Sequence, residues 1–499
     1  MSANVRTYTP KERNMYLLGM AGQNMIYNII GTGLYFYFQS VIFIPAMAIS
    51  IFMAVARVWD AINDPMMGTI VDKTNTKWGK CRPYLMVIPP IIFVITVATF
   101  CNGIYSEANS PAKNALIVGW AAVSYILWGM SYTVGDIPLW GITSRMTEVE
   151  KDRASILSLA RIAGGIGAGV VLLSITPLSQ SVGQMLEKSV GSTAKSQQYG
   201  FIIVAAVFAL IGCGLFQLTG IFVRERVPSQ EKNLGFIDNF KIMWGNLPFR
   251  KQLISGVLRA PIQMLLSVAM TLVSYYYGNY FGNYMLYIVI LGGAIFGGQF
   301  IAMAFVPKLM EKYEKTKLYT GSTIISAIPF ALIYPIYKIA PQDLDKPFWL
   351  AVLFVVFGLA GAGMGALNVL QSVMIADAVD YEEYHKGFRP DGVFFSGQSF
   401  ITKLSAGISS IIQGIGYSIV GFSGDNVNLC NEALRAGASF KSDYAPYAAM
   451  MFFLCSIPPA MGLFLSVIPI RNYGMTDSEH RMMLETLVAK RNEKEQTEN

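Results

Sequence analysis

The sequence predicts an all-α membrane protein of twelve transmembrane helices in two six-helix halves. Three observations carry that expectation. Hydrophobic side chains make up 53% of the 499 residues and charged ones only 14%, the mean hydropathy is +0.44, and long apolar runs recur between short polar breaks. So little charge cannot cover a water-soluble globule, and disordered, collagen-like and disulfide-scaffold chains are excluded by the same composition. A net charge of +7 would suggest nucleic acid in a soluble protein. Here the bases collect in loops on one side of the spans, so no nucleic-acid partner is expected and the partner surface is membrane lipid.

The spans are placed near 14–41, 44–71, 83–104, 114–143, 154–178, 198–223, 252–278, 283–306, 318–338, 347–377, 393–421 and 443–470. With both termini on one side, the loops of that side carry Lys73, Lys77, Lys80 and Arg82, then Arg145, Lys151 and Arg153, then Arg224, Arg226, Lys232, Lys241, Arg250 and Lys251. Lys308, Lys312, Lys315, Lys317, Lys386 and Arg389 continue the series, whereas the opposite loops hold only Lys113, Lys188, Lys195, Lys338, Lys346, Arg435 and Lys441. The asymmetry puts both termini in the cytoplasm, with the chain multi-pass in the cell (inner) membrane. The polar start MSANVRTYTPKERN runs into the first span without a small-residue cleavage site, so that span is expected to be retained. Five cysteines with no CxxC spacing, and only His385 and His480, provide neither a disulfide framework nor a histidine metal cluster. No cofactor is expected, and a monomer is.

The longest basic loop, 224–251, follows the sixth span and divides the chain into a bundle at 1–223, a cytoplasmic linker at 224–251, a bundle at 252–470 and a tail at 471–499. Two six-helix halves joined in this way are the layout of a major-facilitator carrier. DKTNTKWGKCR after the second span and KLMEKYEKTK after the eighth echo each other. GGIGAG at 164–169 and GLAGAGMG at 358–365 let helix backbones approach closely. In the tail, Thr476 and Glu479 form a capping-box pattern ahead of Met483, Leu484, Leu487 and Val488 at helical spacing, which predicts an amphipathic surface helix. Residues 422–442 are an external segment placed to lid an outer vestibule.

Seven ionisable residues fall inside the expected spans: Arg57, Asp60, Asp64, Asp136, Arg161, Arg259 and Lys403. Facing lipid, each would cost about 3 kcal/mol, so they must face one another or a wet cavity. In RVWDAINDPMMG, Asp60, Asn63 and Asp64 lie along one helical stripe. Two carboxylates in low dielectric repel unless a cation or proton sits between them, which suits a small hard monovalent cation; Arg57, one turn earlier, can neutralise the empty site. In YTVGDIPLW, Thr133, Asp136 and Trp140 share a face, where a carboxylate accepts from two sugar hydroxyls and an indole stacks on a sugar's C–H face. Arg161, one helix on, can donate to the same hydroxyls.

These residues resemble the glycoside–pentoside–hexuronide:cation symporter family. The resemblance runs through nearly the whole chain and rests on ARVWDAINDPMMGTIVDKTNTKWGKCRPY at 56–84, GDIPLWG at 135–141, Arg161 at the matching interval, ADAVDYEEYHKGFRPDG at 376–392 and Lys403. It implies a major-facilitator fold and uptake of a sugar or glycoside together with Na+, H+ or Li+. Carried over by position, Asp60 and Asp64 match the family's cation-binding carboxylates, with Asn63 and Thr133 as supporting oxygen ligands. Asp136 and Arg161 match sugar-contacting residues, Trp140 a ring-stacking one, and Lys403 a lysine beside the cation site. Arg153, Asp377, Asp380, Glu383 and Arg389 match cytoplasmic residues that close the inner gate through ionic locks. Two positions depart from the melibiose-carrying branch: Asn24 stands where that branch has an aspartate, and Asn368 where it has a tryptophan. Galactoside specificity therefore does not carry over, and a hexuronide, pentoside or other oligosaccharide fits as well, with Arg57 or Arg259 available to an anionic sugar.

The expected mechanism is cation-coupled symport by alternating access, the cation filling the Asp60/Asn63/Asp64/Thr133 cage first and ordering Asp136 and Arg161 for sugar. A same-fold carrier of a lipid or amphiphile is the nearer alternative. An intramembrane aspartyl enzyme built on Asp60 and Asp136 is the remote one, since it leaves the i, i+4 carboxylate pair unexplained.

Overall fold

The computed structural model describes residues 8–147, 150–226, 236–387 and 391–498. They form twelve helical passages. The first, α1 (Pro10–Asn28), opens on a capping box, Thr9 with Glu12, and runs on through π-helical turns Ile29–Leu34 and Tyr37–Val41. It is followed by α2 (Ala46–Lys73), α3 (Arg82–Phe100), α4 (Pro111–Gly141), α5 (Glu150–Val190) and α6 (Thr193–Phe222). Next come α7 (Leu247–Leu258), which bends by 47° into Ala260–Tyr277, then α8 (Met285–Met310), α9 (Lys315–Ile339), α10 (Pro347–Lys386), α11 (Asp391–Ile419) and α12 (Ala445–Arg471). Among the described residues nine helices are each long and apolar enough to cross a membrane, and the bent α7 makes a tenth. Five further short or polar helices among the described residues include Phe236–Gly245, Asp425–Arg435 and the tail helix Asp477–Glu498.

The chain folds into two compact units. The first comprises residues 1–233 with 273–285 and 413–440, so two stretches from late in the sequence belong to it. Within it α1 packs on α5 and α6, α3 on α4 and α6, and α2 on α4. Gly164 and Gly167 of α5 lie against Asn24 and Ala21 of α1. The exposed N–H groups at the start of α3 are satisfied by Glu225, whose carboxylate accepts from the backbone of Lys80 at 3.0 Å, Cys81 at 2.8 Å and Arg82 at 3.1 Å. The late stretches are fastened by polar contacts: Gln39 Nε2 donates to the Phe422 carbonyl at 2.8 Å and Asn431 Nδ2 to that of Ser40 at 2.9 Å. The backbone N–H of Glu107 donates to Asp425 at 2.7 Å, and Arg435 pairs with Glu187.

The second unit comprises residues 234–272, 286–412 and 441–499. Gly361 and Gly365 of α10 pack on Ile295 and Gln299 of α8. Asn246 caps α7 by accepting from Phe249 N at 3.0 Å, while its Nδ2 donates to the Ala378 carbonyl at 2.8 Å, fixing α7 to α10 over a core of Met243, Phe249, Leu253, Ile375, Val379, Phe394 and Ile401. In α9, Ser456 of α12 inserts into the ladder: Tyr334 N donates to its hydroxyl at 3.0 Å, and that hydroxyl donates to the Phe330 carbonyl at 2.5 Å. All five cysteines are free; Cys81, Cys213, Cys430 and Cys455 are buried and Cys101 is exposed.

Candidate functional site: an acidic face between α2 and α4

Helical spacing builds the first part of the site. Asp60 and Asp64 stand one turn apart on α2, and Gly129 and Thr133 one turn apart on α4. The two pairs meet. Asp60 is 6% exposed and lies against Gly129, where a Cβ would stand 2.9 Å from its Oδ1, so the carboxylate's position depends on the missing side chain. Thr133 Oγ1 donates to Asp64 Oδ1 at 3.0 Å. Both acids therefore turn towards a neighbouring helix. Arg57 Nη1 lies 3.2 Å from Asp60 Oδ2, with its guanidinium 5.8 Å from the Tyr125 ring, so one positive charge already balances one of the acids. Beside them Asn63 Nδ2 is buried with no hydrogen-bond partner among the described residues, a polar atom left over where such atoms are normally satisfied.

A polar corner joins α1 to α4. Gln23, 4% exposed, donates from Nε2 to Asp136 Oδ1 at 2.6 Å and to the Tyr132 hydroxyl. Asn24 donates to Gln23 Oε1 at 2.6 Å and to the Met20 carbonyl at 3.0 Å, and its amide abuts Gly164 of α5. Tyr132 stacks on Trp128 with centroids 4.9 Å apart, and Trp128 donates to Thr96 at 3.0 Å, so the corner has a rigid aromatic floor. Asn24 and Asp136 are thus brought together through Gln23. Arg161 sits one turn before Gly164 on α5 and is exposed; Trp140, one turn beyond Asp136, is 36% exposed. Gln23 and Tyr132 are absent from the sequence-based expectations, although Tyr132 stands four residues before Asp136 and Gln23 is the neighbour of Asn24.

Of the remaining expected residues, all but Arg153 belong to the second unit. Asn368 is exposed, its carbonyl accepting from Ser372 at 3.1 Å, and Lys403 is partly buried on α11. Asp377 pairs with Lys315, at the start of α9. His480, 6% exposed on the tail helix, places Nε2 3.1 Å from Asp380 Oδ2 and 3.6 Å from Asp377 Oδ1. Lys315 N donates to Asp477 Oδ2 at 3.0 Å, and Thr476 and Glu479 close the expected capping box. The tail helix is therefore docked on α9 and α10 by groups that spacing alone assigned only to a surface. Glu383 is partly buried near the end of α10. Arg389 and the side chain of Arg153 lie outside the described residues.

Residues 15–473 match the family described as "MFS/sugar transport protein". The chain is 26% identical over 416 residues to an isoprimeverose transporter of Lactiplantibacillus pentosus, covering 82% of this chain and 80% of that one. It is 24% identical over 410 residues to a glucuronide carrier protein homolog of Escherichia coli (strain K12), covering 82% and 83%. The crystal structure of a D-xylose–proton symporter superposes with a TM-score of 0.57 at 13% identity, covering 87% of this chain and 98% of that one, so the two share a fold, which the family match gives as the major facilitator one. Relatives and structural neighbours alike are transporters and none of these is an enzyme. Matched over all but its two ends, the chain belongs to the MFS/sugar transport family.

Proposed function

We propose that this chain imports a sugar or glycoside by cation-coupled symport, and that Na+ is the coupling ion, held by Asp60, Asn63, Asp64 and Thr133. The observation that carries the reading is the meeting of two carboxylates of α2 with Gly129 and Thr133 of α4. Four oxygen-bearing side chains there suit a small hard ion. On arrival the cation competes with Arg57 for Asp60, and it removes the repulsion between the two acids. Asp136, held by Gln23 until then, exchanges that amide for sugar hydroxyls, with Arg161 donating and Trp140 stacking. Asn24, Asn368 and Lys403 complete the substrate residues. Arg153, Asp377, Asp380, Glu383 and Arg389 act at an inner gate, and access alternates between the two sides of the cell membrane.

The halves are 1–223 and 252–470, joined by 224–251, with both termini cytoplasmic. One positive charge moving down 100 mV supplies about 2.3 kcal/mol, roughly fifty-fold accumulation before an ion gradient is added. Counterflow in membrane vesicles tests the reading: in Asp60→Cys or Asp64→Cys, sugar exchange is expected to lose its stimulation by cation. Exchange that stays fully cation-stimulated would remove the cage.

A further inference from the structure

Charges inside the spans have partners in unequal measure. Arg57 has Asp60. Among the described residues Arg259 has no carboxylate partner. It stands where α7 breaks and bends by 47°, and its Nη2 donates to the neutral amide oxygen of Gln371 at 2.7 Å. Its guanidinium carbon lies 5.6 Å from the Tyr319 ring centroid, and its Nε is buried with no hydrogen-bond partner among the described residues. A guanidinium carries five N–H donors in a planar fork, and neither an amide oxygen nor a ring face cancels its charge. A cation at the end of a helix gains from the carbonyls there, but a lysine would gain as much, and that gain leaves Nε without an acceptor. Arg259 as a whole is partly exposed.

We propose that Arg259 binds the anionic group of an acidic sugar, a carboxylate or sulfonate, in the two-pronged fashion that a guanidinium and an oxyanion share. This rests on the sugar-transport reading above and names its substrate class. Gln371 orients the fork from one side and Tyr319 supports its face, while the oxyanion supplies the charge that the protein withholds.

The full chain, reconstituted in vesicles with imposed Na+ or proton gradients, is offered two matched pairs: 4-nitrophenyl β-D-glucuronide with the β-D-glucoside, and the β-D-galacturonide with the β-D-galactoside. Each pair differs only at C6. In the wild type the acid of at least one pair is expected to half-saturate uptake at a concentration tenfold or more below its neutral partner. Arg259→Gln raises that concentration for the acid at least thirtyfold and moves the neutral sugar far less; Arg259→Lys, which keeps the charge and loses the fork, falls between. A wild type that accumulates neutral sugars and excludes their acids overturns the inference, and so does a parallel loss of both in the variants. Should Arg259→Gln not fold, Arg259→Lys decides by the same split, since it preserves the charge at the helix end. If the wild type accumulates no sugar under either gradient, the transport reading itself has failed, a result distinct from accumulation of neutral sugars alone.

Discussion

Gly129 has no side chain, and Asp60 occupies the room that this leaves. Gly129→Ala is expected to push the Asp60 carboxylate off its place and to abolish cation stimulation of sugar exchange while the protein still folds, which counterflow with and without Na+ will show. Thr133→Val removes a hydrogen bond to a charged group, a loss of about 1.5–3 kcal/mol, so the cation concentration for half-maximal uptake is expected to rise roughly 10- to 100-fold. Much of this site is legible in the sequence because charge in an apolar run is conspicuous and a spacing of four assigns it a face. Asp60, Asp64 and Thr133 were found in that way. Gln23 was not, because an amide in a span costs little enough to pass unnoticed, and its grip on Asp136 joins two helices far apart in the chain. Nor was Gly129, whose contribution is an absence.

At the scale of helices, ends and breaks carry the information. Glu12 ties the start of α1 to the chain beyond α6: its Oε1 lies 2.9 Å from Arg226 Nη1 and accepts from Arg224 N at 3.2 Å. Burial pushes its carboxyl up, but the Arg226 guanidinium and the two Thr9 donors outweigh that, and the net shift is below the ordinary carboxylate value. A carboxyl lowered on folding contributes stability above its unfolded value, and that contribution is lost as pH falls through the folded one. Thermal unfolding in detergent is therefore expected to separate wild type from Glu12→Gln by about 1–3 kcal/mol near pH 7, the gap closing on acidification below about pH 4. The tail helix offers a second test. His480→Ala withdraws the group between Asp377 and Asp380, and local opening that becomes about 1–2 kcal/mol easier should make tryptic cleavage at Arg481 roughly 5- to 30-fold faster. The capping box announced where this helix begins, yet no local pattern announced what it docks on, since Asp380 and His480 are a hundred residues apart in the chain.

For the molecule as a whole, alternation of apolar runs with basic loops was enough to place twelve helical passages. Composition alone recognises fewer, because Gln23, Asn24, Asn28 and Gln39 dilute the first passage and a break divides the seventh. What the pattern could not give is the grouping in space: residues 273–285 and 413–440 cluster with the N-terminal residues through contacts such as Gln39 with Phe422. Net charge movement is expected to accompany transport of a neutral sugar, whereas a singly anionic sugar carried with one cation moves none. In vesicles a valinomycin-imposed, inside-negative potential of 100 mV should raise accumulation of a neutral sugar by up to roughly fifty-fold and leave that of a singly anionic sugar, carried with one cation, unchanged. The distribution of thiols equips the native chain for one more measurement. Since four cysteines are buried and Cys101, just past the end of α3, is open, a maleimide too polar to enter cells should tag the unmodified protein at a single residue. With the termini inside, that tag appears on intact cells; if it appears only after lysis, the protein is threaded the other way.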